Sequence, residues 1–147
     1  MIEISNRQRV RKLNLRLLEQ IAAAALEELK IAEAELSVVL VGEKESAAMN
    51  EKFLSHEGAT DVITFDYSEK PTKGHLHGEI FICVGEAAKQ AKEFKTSWQS
   101  ELVRYVVHGI LHLIGHDDLK PVARKKMKIA EGRLVRELSR RFALSKL

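Results

Sequence analysis

HGILHLIGHDD, residues 108–118, is the stretch that organises the chain, because three of the six histidines fall within nine residues of an otherwise apolar segment. Residues four apart lie on the same face of an α-helix, so His108 and His112 can direct two imidazoles at a single ion. Gly115 is expected to end this helix, since glycine readily adopts the left-handed conformation that turns the chain back. A residue just beyond the turn could then supply a third ligand.

The same helix has a recognisable beginning. Residues 96–99, TSWQ, have the Thr-x-x-Gln form of a capping box, which predicts a helix that starts just before Trp98. The apolar pattern continues to Ile114 and predicts that Leu102, Val106, Leu111 and Leu113 are buried. The candidate metal ligands therefore lie on a long helix that packs into the core.

Other elements follow from the spacing of apolar residues on both sides of this helix. Helical periodicity predicts helices over residues 13–29 and 43–54, from Gly85 onward, and from Pro121 to the C-terminal region. Short apolar or alternating runs predict strands over residues 1–5, 36–41, 60–65 and 80–84, the first of them at a sheet edge and the last opened by residues 77–79. With 147 residues, 45% of them hydrophobic, the chain is expected to form one domain.

The composition of the chain limits its expected cellular location and the classes of partner that it is expected to bind. We expect a soluble, cytoplasmic protein with no membrane partner, because no apolar run reaches eighteen residues and the N-terminal residues do not resemble a signal peptide. The single cysteine, Cys83, lies in an apolar run and is expected to be a buried, unreactive thiol. Residues 120–147 contain ten Lys/Arg and two Glu, a net charge of +8, so this segment could bind a polyanion or simply form a solvated helix face.

Two residues compete as the third metal ligand. Asp118 offers an acceptable oxygen ligand and is preferred, whereas His116 offers the imidazole that zinc binds better but lies only four residues beyond His112, across the helix-ending glycine. Three protein ligands leave a fourth position open, which is typical of a catalytic zinc ion and favours hydrolysis. The metalloprotease motif requires a glutamate after the first histidine, and Gly109 occupies that position, which argues against a zinc peptidase.

The pattern His108-Gly109-x-Leu111-His112-Leu113-x-Gly115-His116-Asp117 resembles the signature of the YbeY family of bacterial endoribonucleases, the rRNA maturation factors. The resemblance extends over roughly residues 36–119, through Asn50, Thr60–Phe65, Gly78–Ile80, Gln90-Ala91 and Glu101-Leu102. It implies an α+β fold, a single domain in which a small mixed four-stranded sheet is covered by about five helices, with a zinc site on a central helix. It also implies a single-strand-specific, metal-dependent endoribonuclease that acts in 16S rRNA 3′-end maturation and in the late assembly and quality control of the small ribosomal subunit.

The resemblance has two departures. Asp118 stands where the family usually has a histidine ligand, and Leu54 and His56 stand where it usually has an arginine and a lysine. A cation in that second region would contact phosphate, and His56 is a candidate substitute. The further candidates for RNA binding are the cations that open the last helix, namely Lys120, Arg124, Lys125, Lys126 and Lys128.

Proton transfer at the site has two candidates. His116 or Asp117 could move protons, although Asp117 could equally orient a ligand histidine. A non-catalytic, zinc-stabilised ribosome assembly factor is the alternative function, motivated by the changes at Leu54 and Asp118. The sequence does not determine the oligomeric state.

Overall fold

A mixed four-stranded sheet lies at the centre of the computed structural model, which describes residues 1–54, 61–69 and 73–147. Its strands are β1 (Ile2–Asn6), β2 (Glu33–Val41), β3 (Val62–Asp66) and β4 (His75–Cys83), in the order β1-β2-β4-β3. Neighbouring strands are parallel from β1 through β2 to β4, whereas β3 runs antiparallel to β4. The mixed sheet and the edge position of the first strand are as expected.

Five α-helices accompany the sheet in the described residues. They are α1 (Leu15–Glu28), α2 (Glu43–Met49), α3 (Val84–Phe94), α4 (Trp98–Leu113) and α5 (Pro121–Arg141). The helix predicted to continue to residue 54 instead changes at Asn50 into a π-helical turn, Asn50–Leu54, and a short 3₁₀ turn, Leu144–Lys146, follows α5. None of the described helices is both long enough and apolar enough to cross a lipid bilayer.

Both the N-cap of α4 and the start of β4 differ from the sequence prediction. Helix α4 begins where expected, but its N-cap is Ser97, whose side chain accepts a hydrogen bond from the backbone N–H of Ser100; Thr96 instead donates its hydroxyl to Glu101. Strand β4 begins at His75, two residues before the predicted opening at His77, because its first residues pair with β2 in continuous parallel register. The capping-box assignment was therefore wrong by one residue, and the strand prediction was too short.

The hydrophobic core lies between one face of the sheet and helices α1, α4 and α5. Fully buried side chains from β2 and β4, among them Val38, Leu40 and Ile80, meet Leu18 of α1 and Ile110 of α4. Helix α4 is central to this core, since most of its residues between Glu101 and Leu113 are buried. Its position fixes the direction in which the two ligand-candidate histidines point.

Two glycines allow α4 to approach β4 closely. A Cβ atom on Gly109 of α4 would lie 2.8 Å from the side chain of Ile80, and one on Gly78 of β4 would lie 2.7 Å from the side chain of Leu113. Each element therefore places a large side chain against a glycine of the other. This reciprocal packing gives Gly109 a structural reason for standing where the metalloprotease motif has glutamate.

Candidate metal centre

Helix α4 ends in a glycine turn that redirects the chain back toward the histidines. Gly115 has φ +104°, its N–H donates to the carbonyl oxygen of His112, and the N–H of His116 donates to that of Leu111. This pair of bonds is the Schellman arrangement, in which a left-handed residue satisfies the last carbonyls of a helix. The predicted role of Gly115 is confirmed, and residues 116–118 return toward α4 as a result.

Three side chains meet at the end of α4 and form a group that can bind a metal ion: His108, His112 and Asp118. The Nε2 atoms of the two histidines are 3.2 Å apart, and Oδ2 of Asp118 lies 3.7 Å from Nε2 of His108 and 3.6 Å from that of His112. A tetrahedral ion with bonds of about 2.0–2.2 Å separates its ligand atoms by about 3.3–3.6 Å. The three donor atoms therefore fit around one small cation.

A carboxylate fixes the ring of His108 from the opposite side. Glu131 of α5 accepts a hydrogen bond from Nδ1 of His108 at 2.9 Å and an ion-paired hydrogen bond from Arg104 at 3.0 Å. Although burial would raise the pKa of Glu131, these two partners lower it below the ordinary value. Glu131 therefore stays ionised and directs Nε2 of His108 toward the cluster.

The second ring is held by the turn itself. Nδ1 of His112 lies 3.1 Å from the backbone carbonyl oxygen of His116, to which it can donate. The side chain of His116 stays outside the three-residue group, and Oδ1 of Asp117 accepts the N–H of Leu119. His116 thus positions a ligand candidate through its backbone, while Asp117 orders the loop that carries Asp118.

These hydrogen bonds also define the chemistry of the cluster. When both Nδ1 atoms donate outward, both Nε2 atoms are lone-pair donors that face each other, an arrangement that a shared cation stabilises. Burial lowers the pKa of His108, but the bond to Glu131 and the charges of Glu131, Asp61 and Asp118 outweigh it and raise the pKa. Negative charge thus accumulates around the imidazoles, as a bound cation requires.

The cations predicted to bind RNA all lie on the surface before or within the first turns of α5. All of them are exposed, and within the described part of the chain none of them forms an ion pair. They are Lys120, Arg124, Lys125, Lys126 and Lys128. Burial lowers the pKa of the His116 imidazole, and the charge of nearby Lys126 lowers it further. His56, the remaining candidate, lies outside the described residues, as does Thr60.

A cavity of about 480 Å³ adjoins the cluster at His112. Its apolar walls include Leu29 and Leu113, and its polar walls include Ser68, Lys73 and His75. The candidate ligands are partly exposed, with 26% of the His108 side chain and 42% of the Asp118 side chain accessible. The cluster is therefore partly open to solvent.

Sequence reasoning missed Glu131, which lies 23 residues beyond His108. A signal was present, because Glu131 falls on the apolar stripe of α5 formed by Met127, Leu134 and Leu138. A carboxylate on a buried helix stripe requires a partner, and here the partners are a histidine and an arginine.

Several known proteins are similar to this chain in sequence. The profile of the family described as endoribonuclease YbeY matches residues 2–139. A protein of that name from Anaeromyxobacter sp. is 39% identical over 115 residues, covering 78% of this chain and 60% of the relative. Another from Salinibacter ruber is 37% identical over 102 residues, covering 65% of each protein.

A solved structure shares the fold. The solution structure of a Thermotoga maritima protein matches with a TM-score of 0.67 and 32% identity, covering 94% of this chain and 89% of that protein. By contrast, the chain spans only 60 to 65% of the length of the two relatives above.

Proposed function

Because the chain belongs to the endoribonuclease YbeY family, we propose that it is a zinc-dependent endoribonuclease that cleaves single-stranded ribosomal RNA. Its proposed role is 16S rRNA 3′-end maturation, together with late assembly and quality control of the small ribosomal subunit in the cytoplasm. Ribosomal RNA and the small subunit are the proposed partners. The observation that carries the proposal is the partly exposed group of His108, His112 and Asp118 beside a cavity.

His108, His112 and Asp118 are the proposed metal ligands. Two imidazoles and a carboxylate suit zinc, and three protein ligands leave room for water or substrate. When bound, the ion would polarise a phosphoryl oxygen and make water more acidic. The contribution of Glu131 and of the His116 carbonyl is to hold both rings with Nε2 directed at the ion.

The chain's own groups supply the remaining functions. We assign proton transfer to the side chain of His116, which is partly exposed next to the cluster, and loop ordering to Asp117. The exposed cations at the start of α5 are proposed to bind the phosphate backbone of the RNA. RNA affinity should therefore fall steeply with added salt. An affinity that does not change with salt would remove these cations from the proposal.

The test is a single-turnover cleavage assay on ribosomal precursor RNA. Wild type and His112→Ala are compared at equal folded fraction, with and without added zinc. Cleavage by wild type that depends on zinc and is lost in His112→Ala is the expected result. Equal cleavage by both proteins would overturn the assignment of the site, and RNA binding without cleavage by either protein would favour the assembly-factor function.

Metal analysis tests the ligand set independently of activity. Asp118→Ala should reduce the zinc content of the purified protein, because it removes an oxygen donor from the cluster. His116→Ala should retain zinc, since its contribution to His112 comes from a backbone carbonyl that alanine keeps. Zinc loss in His116→Ala with zinc retained in Asp118→Ala would reverse the assignment of the third ligand.

A further inference from the structure

A second basic surface lies on α5, beyond the cations that the sequence singled out. A groove of about 550 Å³ runs between the end of α1 and the middle of α5, and Arg133, Arg136 and Arg140 line it. Its floor is apolar, formed by Leu29, Ala130 and Leu134. The groove thus combines cationic walls with an apolar base.

The cations in this groove outnumber the acids available to neutralise them. Glu137 is paired with Arg140, at 2.5 Å, and Glu28 is paired with Arg141, at 3.1 Å. Arg133 and Arg136 are exposed and form no ion pair or side-chain hydrogen bond with any residue in the ranges 1–54, 61–69 and 73–147. Two guanidinium groups therefore remain available for an anionic ligand.

The groove adjoins the cavity that reaches the candidate metal centre. Leu29 lines both this groove and the cavity that reaches His112, so the two concave surfaces share a wall. Along α5, the exposed Arg133 follows the buried Glu131, the partner of His108, within one helical turn but on a different face of the helix. Lys126, Arg133 and Arg140 are spaced seven residues apart and so share one helix face, which begins beside His116.

We propose that a single RNA strand held at the metal centre continues across Leu29 into this groove, where Arg133 and Arg136 bind its phosphates. Repeating negative charge on a flexible chain complements the two unpaired guanidinium groups, and bases or sugars can lie against the apolar floor. The proposal rests on the proposed nuclease function for the identity of the strand. In this arrangement, residues in the middle of α5 bind the part of the substrate that lies away from the cleavage site.

The test measures RNA binding in the presence of a chelator, so that it is independent of cleavage. Fluorescence anisotropy with a labelled oligouridine strand compares wild type with Arg133→Gln/Arg136→Gln. The matched control is Lys44→Gln/Lys92→Gln, which removes two exposed cations from α2 and α3, helices that do not line the groove. Thermal melting first establishes that all three proteins are equally folded.

The groove variant should bind the RNA strand about tenfold more weakly than the control variant. Its slope of log affinity against log salt should also be shallower by about 1.4, the value for two single-strand phosphate contacts. Equal affinities and slopes for the two variants would overturn the proposal, as would failure of wild type to bind RNA. A wild type that binds RNA through the groove but does not cleave it contradicts the nuclease function alone, so the two failures are distinguishable.

Discussion

Glu131 is the residue through which α5 acts on the candidate metal centre. Its carboxylate accepts hydrogen bonds from both His108 and Arg104, and it is 9% exposed. Glu131→Gln keeps the shape but removes the charge that makes His108 a better metal ligand. We expect zinc affinity to fall about 10- to 100-fold, measured by competition with a chromophoric chelator.

The control for this change is Glu137→Gln, six residues further along α5. Glu137 pairs with Arg140 on the surface and does not contact the cluster, so its loss should leave zinc affinity unchanged. If both variants bind zinc as wild type does, Glu131 has only a structural role in pairing with Arg104.

At this scale, the sequence predicts contacts within one helix better than contacts between helices. The pairing of His108 with His112 follows from four-residue spacing, and the return of Asp118 follows from the glycine turn, because both depend on nearby backbone geometry. The contact of His108 with Glu131 depends on how α4 and α5 pack, which spacing along the chain does not reveal. The backbone role of His116 was missed for a related reason, since side-chain chemistry does not indicate where a carbonyl points.

The close packing of α4 on β4 determines the orientation of the histidine-bearing helix. Gly109→Ala would place a Cβ atom 2.8 Å from Ile80, a fully buried side chain. We expect this variant to lose about 1–3 kcal/mol of unfolding free energy, the usual cost of overpacking a core. Urea denaturation followed by circular dichroism measures the change.

Gly132→Ala provides a matched control within a helix. An added Cβ there meets only the flexible end of Arg136, at 3.4 Å, so the substitution should stabilise the protein by about 0.5–1 kcal/mol through the higher helix propensity of alanine. A Gly109→Ala protein as stable as wild type would show that α4 can shift away from the sheet without cost.

Helices and strands were predicted well where apolar residues repeat at a regular spacing. They were predicted poorly where pairing with a neighbouring element determines the structure. Helix α5 was predicted from Pro121 onward, and its buried residues, among them Met127 and Leu138, do repeat at helical spacing. The first two residues of β4, His75 and Leu76, lie before the predicted opening of the strand, and only their pairing with β2 identifies them as part of it. The switch to a π-helical turn at Asn50 likewise has no periodic signal in the sequence.

For the whole molecule, the core and the candidate metal centre are separate sources of stability. Ile110 and Leu111, between the two histidines, are fully buried, and the core joins one sheet face to α1, α4 and α5 without contribution from the cluster. The overall architecture was therefore expected from the family resemblance and the apolar pattern. By contrast, the extent to which the fold depends on metal can be inferred only from the burial of these core residues in the structure.

Metal removal should consequently lower the melting temperature without unfolding the protein. An ion that binds only the folded state at one hundred times its Kd adds about 2.7 kcal/mol of stability, and this is what chelation should remove. Because the ligand candidates lie at the surface end of α4, the helical signal in far-ultraviolet circular dichroism should persist after chelation at room temperature. Melting curves with zinc and with chelator measure the difference, and His112→Ala should show almost none. Loss of the helical signal on chelation would mean instead that the ion holds α4 and α5 together, as in small domains that fold only around zinc.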